Sequence, residues 1–156
     1  MNLPRNTHLI RELDEFRRHN YSTIFRLYEE SIDVLSRLSA KYKVILVSNC
    51  AVGLADALEV LGIANFFENT VLSYEFGVRK PDPRIYVEAL RKSKLKPYEC
   101  VFVSDEISDL EEASEAGLKT ILVHQGLHTT CDAKNPNFKP DFECNMISEI
   151  TQYLLT

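Results

Sequence analysis

The chain has 156 residues, 45% of them apolar and 26% charged, enough to bury one sizeable core, so a single globular domain is expected. Its net charge of −5 provides no basic footprint for nucleic acid or for an anionic membrane surface, and neither is expected as a partner. No stretch approaches the roughly 20 apolar residues that cross a bilayer, and the charged start MNLPRNTHLIRELDEFRRHN does not read as a signal peptide, so a cytoplasmic location is expected by elimination. Cys50, Cys100, Cys131 and Cys144 are scattered without CxxC spacing, which indicates neither a zinc site nor a disulfide framework and leaves reduced thiols, mostly as buried filler.

The apolar pattern changes period repeatedly along the chain, with no internal repeat. Residues 7–39 read as helix, with Leu27, Ile32, Leu35 and Leu38 near the 3.6-residue period and a possible break at Ser31. Val44 to Val47 is an unbroken apolar run, the signature of a strand covered on both faces of a parallel sheet. VGLADALEVLG follows as a helix stopped by Gly62, and TVLSYEFGVRKPDP as a short strand and then a loop. PRIYVEALRKSKL is a helix begun by Asp82 as N-cap with Pro83 at its first position. CVFVS is the next buried strand, DLEEASEAG a helix closed by Gly117, and KTILV a further strand. A long loop spans His124 to Lys139, before a short strand at DFECN and a last helix, MISEITQYLL. Strands alternating with helices in this way predict a three-layer α/β fold with right-handed crossovers.

In such sheets ligands bind outside the carboxyl ends of the strands, and three polar signals fall there: Ser48 with Asn49, Lys80, and Asp105 with Asp109. A hydroxyl, an amide and an ammonium suit a phosphoryl group, while paired carboxylates suit a hard cation such as Mg²⁺. Each residue also has a plain structural reading. Asp82 is a cap; Ser108 and Glu111 form an S-x-x-E capping box beside which Asp109 could serve the helix dipole; Ser48 and Asn49 could be turn residues; Lys80 could be solvated. Glu111, Glu112 and Glu115 read as the wet face of a helix that turns Ala113 and Ala116 inward, and His124 and His128 as surface histidines. The order and strand-end placement of the three signals together favour a phosphoryl site.

The segments VILVSN, GVRKPDPRIY and VFVSDEISDLEEASEAGLKTILV closely resemble the haloacid dehalogenase-like (HAD) hydrolase superfamily, over roughly residues 27–156. Their wording is most similar to the phosphatase-type subfamily with a small helical cap, as in the phosphatase domain of soluble epoxide hydrolases and in sugar-phosphate phosphatases. The resemblance implies a Rossmann-like three-layer core over residues 31–156 and a helical cap remnant over residues 1–30. It also implies that Ser48 and Asn49 hold phosphoryl oxygens, that Lys80 balances charge at the nucleophile and phosphate, and that Asp105 and Asp109 bind Mg²⁺. Members of the family begin with an apolar strand ending in D-x-D, which supplies the nucleophile and the general acid and base. Here the aspartates before Val44 are Asp14 and Asp33, both inside helical patterns, and Ser104 stands where the family usually has glycine.

In the family fold the missing strand is central, between those that here read VILVS and CVFVS. Each backbone group left unpaired and buried along such edges costs on the order of 1–3 kcal/mol, and several rival a domain's whole stability of about 5–15 kcal/mol. Three repairs are open: the flanking strands pair directly, a partner or second copy donates a strand, or the natural product is longer and this sequence is truncated. The functional expectation is a Mg²⁺-dependent phosphomonoester hydrolase acting on a small phosphorylated metabolite, inactive or incomplete as this chain, with weakened metal binding. The alternative is a catalytically dead module of the same fold, acting through self-association or a partner strand at its sheet edges.

Overall fold

The apolar runs fold into short parallel strands, which among the described residues form two separate sheets. The computed structural model describes residues 25–125 and 134–155, preceded by His8, residues 10–13, Glu15, Phe16 and Asn20 in helical conformation. The first described elements are α1 (Ser31–Ser39), β1 (Ile45–Ser48), α2 (Leu54–Val60) and β2 (Asn69–Leu72). They are followed by α3 (Ser73–Phe76), α4 (Pro83–Ser93), β3 (Val101–Ser104) and α5 (Ile107–Glu115). β4 (Lys119–Val123), β5 (Phe142–Cys144) and α6 (Glu149–Leu154) complete the fold. β1 pairs with β2 in one sheet and β3, β4 and β5 pair in that order in another, every pairing being parallel.

The strand side chains alternate between two helical layers. Ile45, Val47 and Val71 share a cluster with Phe102 of β3 beneath Ile85 and Tyr86 of α4 and Ala113 of α5, so these two helices cover one face of both sheets. On the opposite face Leu46 and Leu72 pack with Leu54, Ala57 and Leu58 of α2, while Val101, Ile121 and Val123 pack with Ile150 of α6. Helix α1 serves both halves, Leu35 joining the first of these clusters and Leu38 the second. The hydroxyl of Tyr42 then donates to the carbonyl of Leu154, tying the end of α1 to α6.

Local chemistry sets the helix ends. The Asp82 carboxylate accepts the Arg84 backbone N–H at 3.0 Å, capping α4 behind Pro83, and the Arg84 side chain holds that carboxyl down at about 2. Gly117 ends the turn after α5 at φ +87°, and a Cβ there would stand 3.3 Å from the Pro97 side chain.

Several expectations need correction. The helix predicted over residues 7–39 is interrupted at 25–30, immediately before the suspected break at Ser31. The segment after β2, expected as loop, begins with the one-turn helix α3. Glu111 and Glu112 are buried rather than wet. Glu111 accepts the backbone N–H groups of Lys134 and Asn135 at 2.6 and 2.7 Å, and Glu112 pairs with the Lys134 ammonium at 2.7 Å. The later part of the long loop, at Lys134 and Asn135, folds over this helix face, which period alone could not reveal. The Ser108–Glu111 capping box does not form: Glu106 is the N-cap, without a side-chain cap bond. His124 is exposed, 3.1 Å from Glu143, whereas His128 and Cys131 lie outside the described residues. Cys50 and Cys100 are half-buried and Cys144 buried, all free thiols.

The largest departure concerns the strands themselves. Both central strands were expected to be covered on both faces, yet all four residues of β1 are half-buried and Val103 of β3 is 38% exposed. Direct pairing of β1 with β3 is not adopted, since each has one strand neighbour among the described residues. The strands are therefore held side by side by helices, not by backbone hydrogen bonds to each other.

One buried group in this layer is left without a partner. Tyr86 is fully buried and its hydroxyl makes no hydrogen bond, while its ring meets Phe102 edge-on at 5.1 Å. Burial first, and then the charges of Asp109 and Glu112, push its phenol far above the ordinary value. An orphaned buried hydroxyl costs about 1–3 kcal/mol, so Tyr86→Phe should leave stability unchanged or raise it by about 1 kcal/mol. Urea unfolding measures this, and a loss of more than about 1 kcal/mol would mean that the hydroxyl is satisfied in solution.

Candidate functional site

Strand ends, one loop and one helix start bring the polar residues together. Asn49 follows β1 directly, and its side-chain amide grips the backbone of Lys80 from both sides. The Lys80 N–H donates to Asn49 Oδ1 at 2.7 Å, and Asn49 Nδ2 donates to the Lys80 carbonyl at 2.9 Å. This clamp fixes the loop before α4 against the end of β1. From there the Lys80 ammonium reaches across to Asp109 Oδ2 at 2.6 Å, passing 5.6 Å from the centre of the Phe102 ring. The Ser104 hydroxyl, at the end of β3, donates to the same Asp109 oxygen at 3.3 Å and accepts the Glu106 N–H at 3.2 Å. A continuous set of polar contacts thus runs from the end of β1, through Lys80 and Asp109, to the end of β3.

This geometry sorts the candidate residues. Asp109 is 5% exposed and serves neither as a cap nor as a solvated charge, because its carboxylate turns to Lys80 and Ser104. Lys80 is likewise not a solvated lysine, its side chain being 15% exposed. Asp105 lies exposed at the end of β3, one residue beyond Ser104, and Ser48 is half-buried at the end of β1. Asn49 already spends one donor and one acceptor on Lys80, so its turn-like bonding reaches a distant loop rather than its neighbours. Asp82 remains at its helix cap, as expected.

Two contributors escaped the sequence reading. Ser104 was noted as a departure from glycine, but its bond to Asp109 depends on the helix that follows turning back over the strand end. Phe102 read as one more apolar strand residue, and its place beneath the Lys80 ammonium follows from the loop that Asn49 positions. Among the described residues, no group of three or more His, Cys, Asp and Glu side chains could hold a metal ion. Nor is any described helix long and apolar enough to cross a membrane.

The Lys80–Asp109 pair is a buried charge pair whose halves depend on each other. Removing either partner of such a pair leaves an uncompensated charge and costs about 3–5 kcal/mol, whereas removing both charges costs much less. Lys80→Met should therefore destabilise the chain by that order, and Lys80→Met with Asp109→Asn should recover at least half of the loss. Chemical denaturation of both variants, with the Asp109→Asn single variant, closes the cycle. Additive losses would show that the contact carries no coupling.

Comparison with known proteins identifies the family. Residues 4–117 match the haloacid dehalogenase-like hydrolase model, a span that begins earlier than the resemblance over residues 27–156. The glyceraldehyde 3-phosphate phosphatase of Methanopyrus kandleri is 37% identical over 106 residues, covering 67% of this chain and 46% of that protein. The chain spans about half the length of the curated relatives it matches. Among solved structures, a dehalogenase with an intermediate complex superposes with a TM-score of 0.71 at 26% identity, over 83% of this chain and 57% of that one. A HAD phosphatase from Thermococcus onnurineus superposes with a TM-score of 0.75 at 21% identity, over 91% of this chain and 64% of that one, a likeness of fold. By its matched span, its parallel strands between helical layers and its relatives, the chain belongs to the haloacid dehalogenase-like hydrolases.

Proposed function

We propose that this chain carries the phosphate-holding and cation-holding half of a Mg²⁺-dependent phosphomonoester hydrolase, and that alone it turns over slowly or not at all. One observation carries the reading: Lys80, fixed by Asn49, sits with Asp109 where the carboxyl ends of β1 and β3 meet. A small phosphorylated metabolite is the substrate class, supported by a relative named for glyceraldehyde 3-phosphate. In this reading the Ser48 hydroxyl and the free amide hydrogen of Asn49 face phosphoryl oxygens, and the Lys80 ammonium balances their charge.

The donor set suits a hard cation. Both bonds to Asp109 fall on Oδ2, which leaves Oδ1 open, and Asp105 is exposed at the neighbouring strand end. Mg²⁺ keeps several waters and is commonly held by one or two carboxylates together with substrate phosphate, so Asp105 and Asp109 are a sufficient protein contribution. When bound, such a cation neutralises charge on the phosphoryl oxygens. The nucleophile is the missing part. Asp33 lies on α1, 3.6 Å from Arg37 and far from any strand end in sequence, and Asp14 lies outside the described residues. Positioning and charge balance without a nucleophile leave little catalysis by way of an aspartyl-phosphate. The second reading, a binding module of the same fold, is favoured by edges of β1 and β3 that carry no strand among the described residues.

The two readings separate in one set of assays. Calorimetry should detect Mg²⁺, and Asp105→Asn should weaken that binding at least about tenfold, or ~1.4 kcal/mol. Unchanged affinity in the variant would remove Asp105 from the site. With Mg²⁺ present, inorganic phosphate should bind, and Lys80→Ala should weaken it by about tenfold once circular dichroism has confirmed that the variant is folded. Equal phosphate affinity in the two proteins would return Lys80 to a purely structural role. Hydrolysis of p-nitrophenyl phosphate by the chain should stay close to background, and turnover at rates of about 1 per second or more would show that it supplies its own nucleophile.

A further inference from the structure

We infer that Ser73 is a positioning residue for the candidate site: its hydroxyl fixes the backbone of Cys50, which orients Asn49 and, through it, Lys80. The part of this inference that concerns phosphate rests on the phosphatase reading, and the part that concerns Lys80 does not. β1 and β2 run in register with Ser48 beside Leu72, so the chain leaves both strands at the same level. Ser73 follows Leu72 directly and opens α3, and its side chain turns back to the loop after β1. The hydroxyl accepts the Cys50 N–H at 2.9 Å and donates to the Cys50 carbonyl at 3.2 Å. Ser73 is buried, so water competes little for either bond.

Peptide planarity carries this contact further. The Cys50 N–H belongs to the planar unit that joins Asn49 to Cys50, so holding it restricts rotation at the Asn49 α-carbon. The Asn49 side chain is then presented to the Lys80 backbone, whose N–H and carbonyl it engages at 2.7 and 2.9 Å. The stretch from Ser73 to Lys80 is thus pinned at its start to Cys50 and at its end to Asn49. Between the pins the Gly77 N–H donates to the Ser73 carbonyl at 2.9 Å, and Gly77 turns the chain at φ +76°, which glycine adopts without strain. α3 and the loop after it form a closed frame on the two residues that follow β1, and the Lys80 side chain leaves that frame to meet Asp109 at 2.6 Å.

The position calls for a hydroxyl. Donor and acceptor lie on one atom, so a single side chain serves both backbone groups of Cys50. Alanine strips both partners away, whereas threonine keeps them. The Cys50 side chain also packs with Leu54, Ala57 and Leu72, so apolar burial still holds the loop against the sheet when the hydroxyl is lost. Loss of the hydroxyl therefore loosens the placing of Lys80 without removing the ammonium, and binding that depends on a preorganised charge falls accordingly.

The test is amide hydrogen exchange read by NMR on the full chain and its variants, with titration of inorganic phosphate in the presence of Mg²⁺. Ser73→Ala should speed exchange at the Cys50 and Lys80 amides at least about tenfold and leave two reference amides unchanged. The references are Glu68, bonded to Val44 at the other end of the first sheet, and Lys119, bonded to Cys100 in the second. Ser73→Thr should restore protection at Lys80. Faster exchange at Cys50 alone, equal acceleration at the references, or a threonine variant that behaves like alanine would each overturn the proposal. Should the alanine chain not fold, Ser73→Cys, which keeps the size and weakens both bonds, carries the same comparison. Phosphate affinity should fall about tenfold in Ser73→Ala, and no further when Asn49→Ala is already present; additive losses would overturn the route through Asn49. A parent chain that binds no phosphate removes the phosphatase reading and leaves the Lys80 amide to decide the role of Ser73. A Lys80 amide that does not respond removes that role, while phosphate binding by the parent keeps the phosphatase reading.

Discussion

The salt bridge between Lys80 and Asp109 is the contact on which this structure turns. It is short, at 2.6 Å, and shielded from water, and it links two sheets that share no backbone hydrogen bond among the described residues. Its strength depends on positioning at both ends. Asn49 spends its side-chain amide on the Lys80 backbone, so the ammonium starts from a fixed point, and Ser104 donates to the carboxylate from the other side. A lysine side chain loses considerable rotamer freedom when pinned, and a loop without the Asn49 clamp would bear that entropic cost on top of its own disorder. The contacts that assemble the candidate site are thus also those that align the half-sheets.

Helices supply the rest of the alignment. α4 and α5 lie over both sheets on one side, and α1 reaches both clusters on the other through Leu35 and Leu38. Apolar burial is non-directional, so it can hold two strands side by side without specifying a hydrogen-bond register between them. That explains how β1 and β3 share a core without pairing. Closing the gap would bring backbone groups into register, but it would also drag α4 and α5 out of their fit over Ile45, Val47 and Phe102, and close-packed cores resist such displacement.

What could be read from the sequence divides along the same line. Strands, helices and the strand-end positions of Ser48, Asn49 and Asp105 were legible because they depend on local period and on chain order, while Lys80 falls in the loop before α4 and Asp109 in the first turn of α5. That this sequence carries no strand run ending in D-x-D was legible too, and among the described residues no strand lies between β1 and β3. What was hidden depends on contacts distant in sequence. Glu111 and Glu112 looked solvated because the segment at Lys134 and Asn135 that covers them lies more than twenty residues away. Asn49 could be read as a turn residue or a phosphate ligand, and its bond to Lys80, thirty-one residues on, fits neither reading taken alone. The exposure of Val103 was invisible in the four-residue apolar run from Cys100 to Val103, since that run records what a strand's neighbours would bury and not whether the neighbours are present.

Charge balance then explains why such a site would hold phosphate poorly without a cation. Asp105, Asp109 and Lys80 together carry a net charge of −1, and the one ammonium is already spent on Asp109 at 2.6 Å. A phosphate dianion approaching these three side chains meets a site of its own sign, and the hydrogen bonds available from Ser48 and Asn49 must work against that repulsion. In the proposed reading, Asp105 and Asp109 would hold a divalent cation, whose charge would offset the carboxylates and allow the lysine's remaining hydrogens to face the phosphate. On this argument the tight Lys80–Asp109 pair stores the charges in mutually neutral form, and the exposed Asp105 leaves the cation an approach from solvent. Such a division of labour needs the strand ends to be held in place but does not need the sheet between them to be complete.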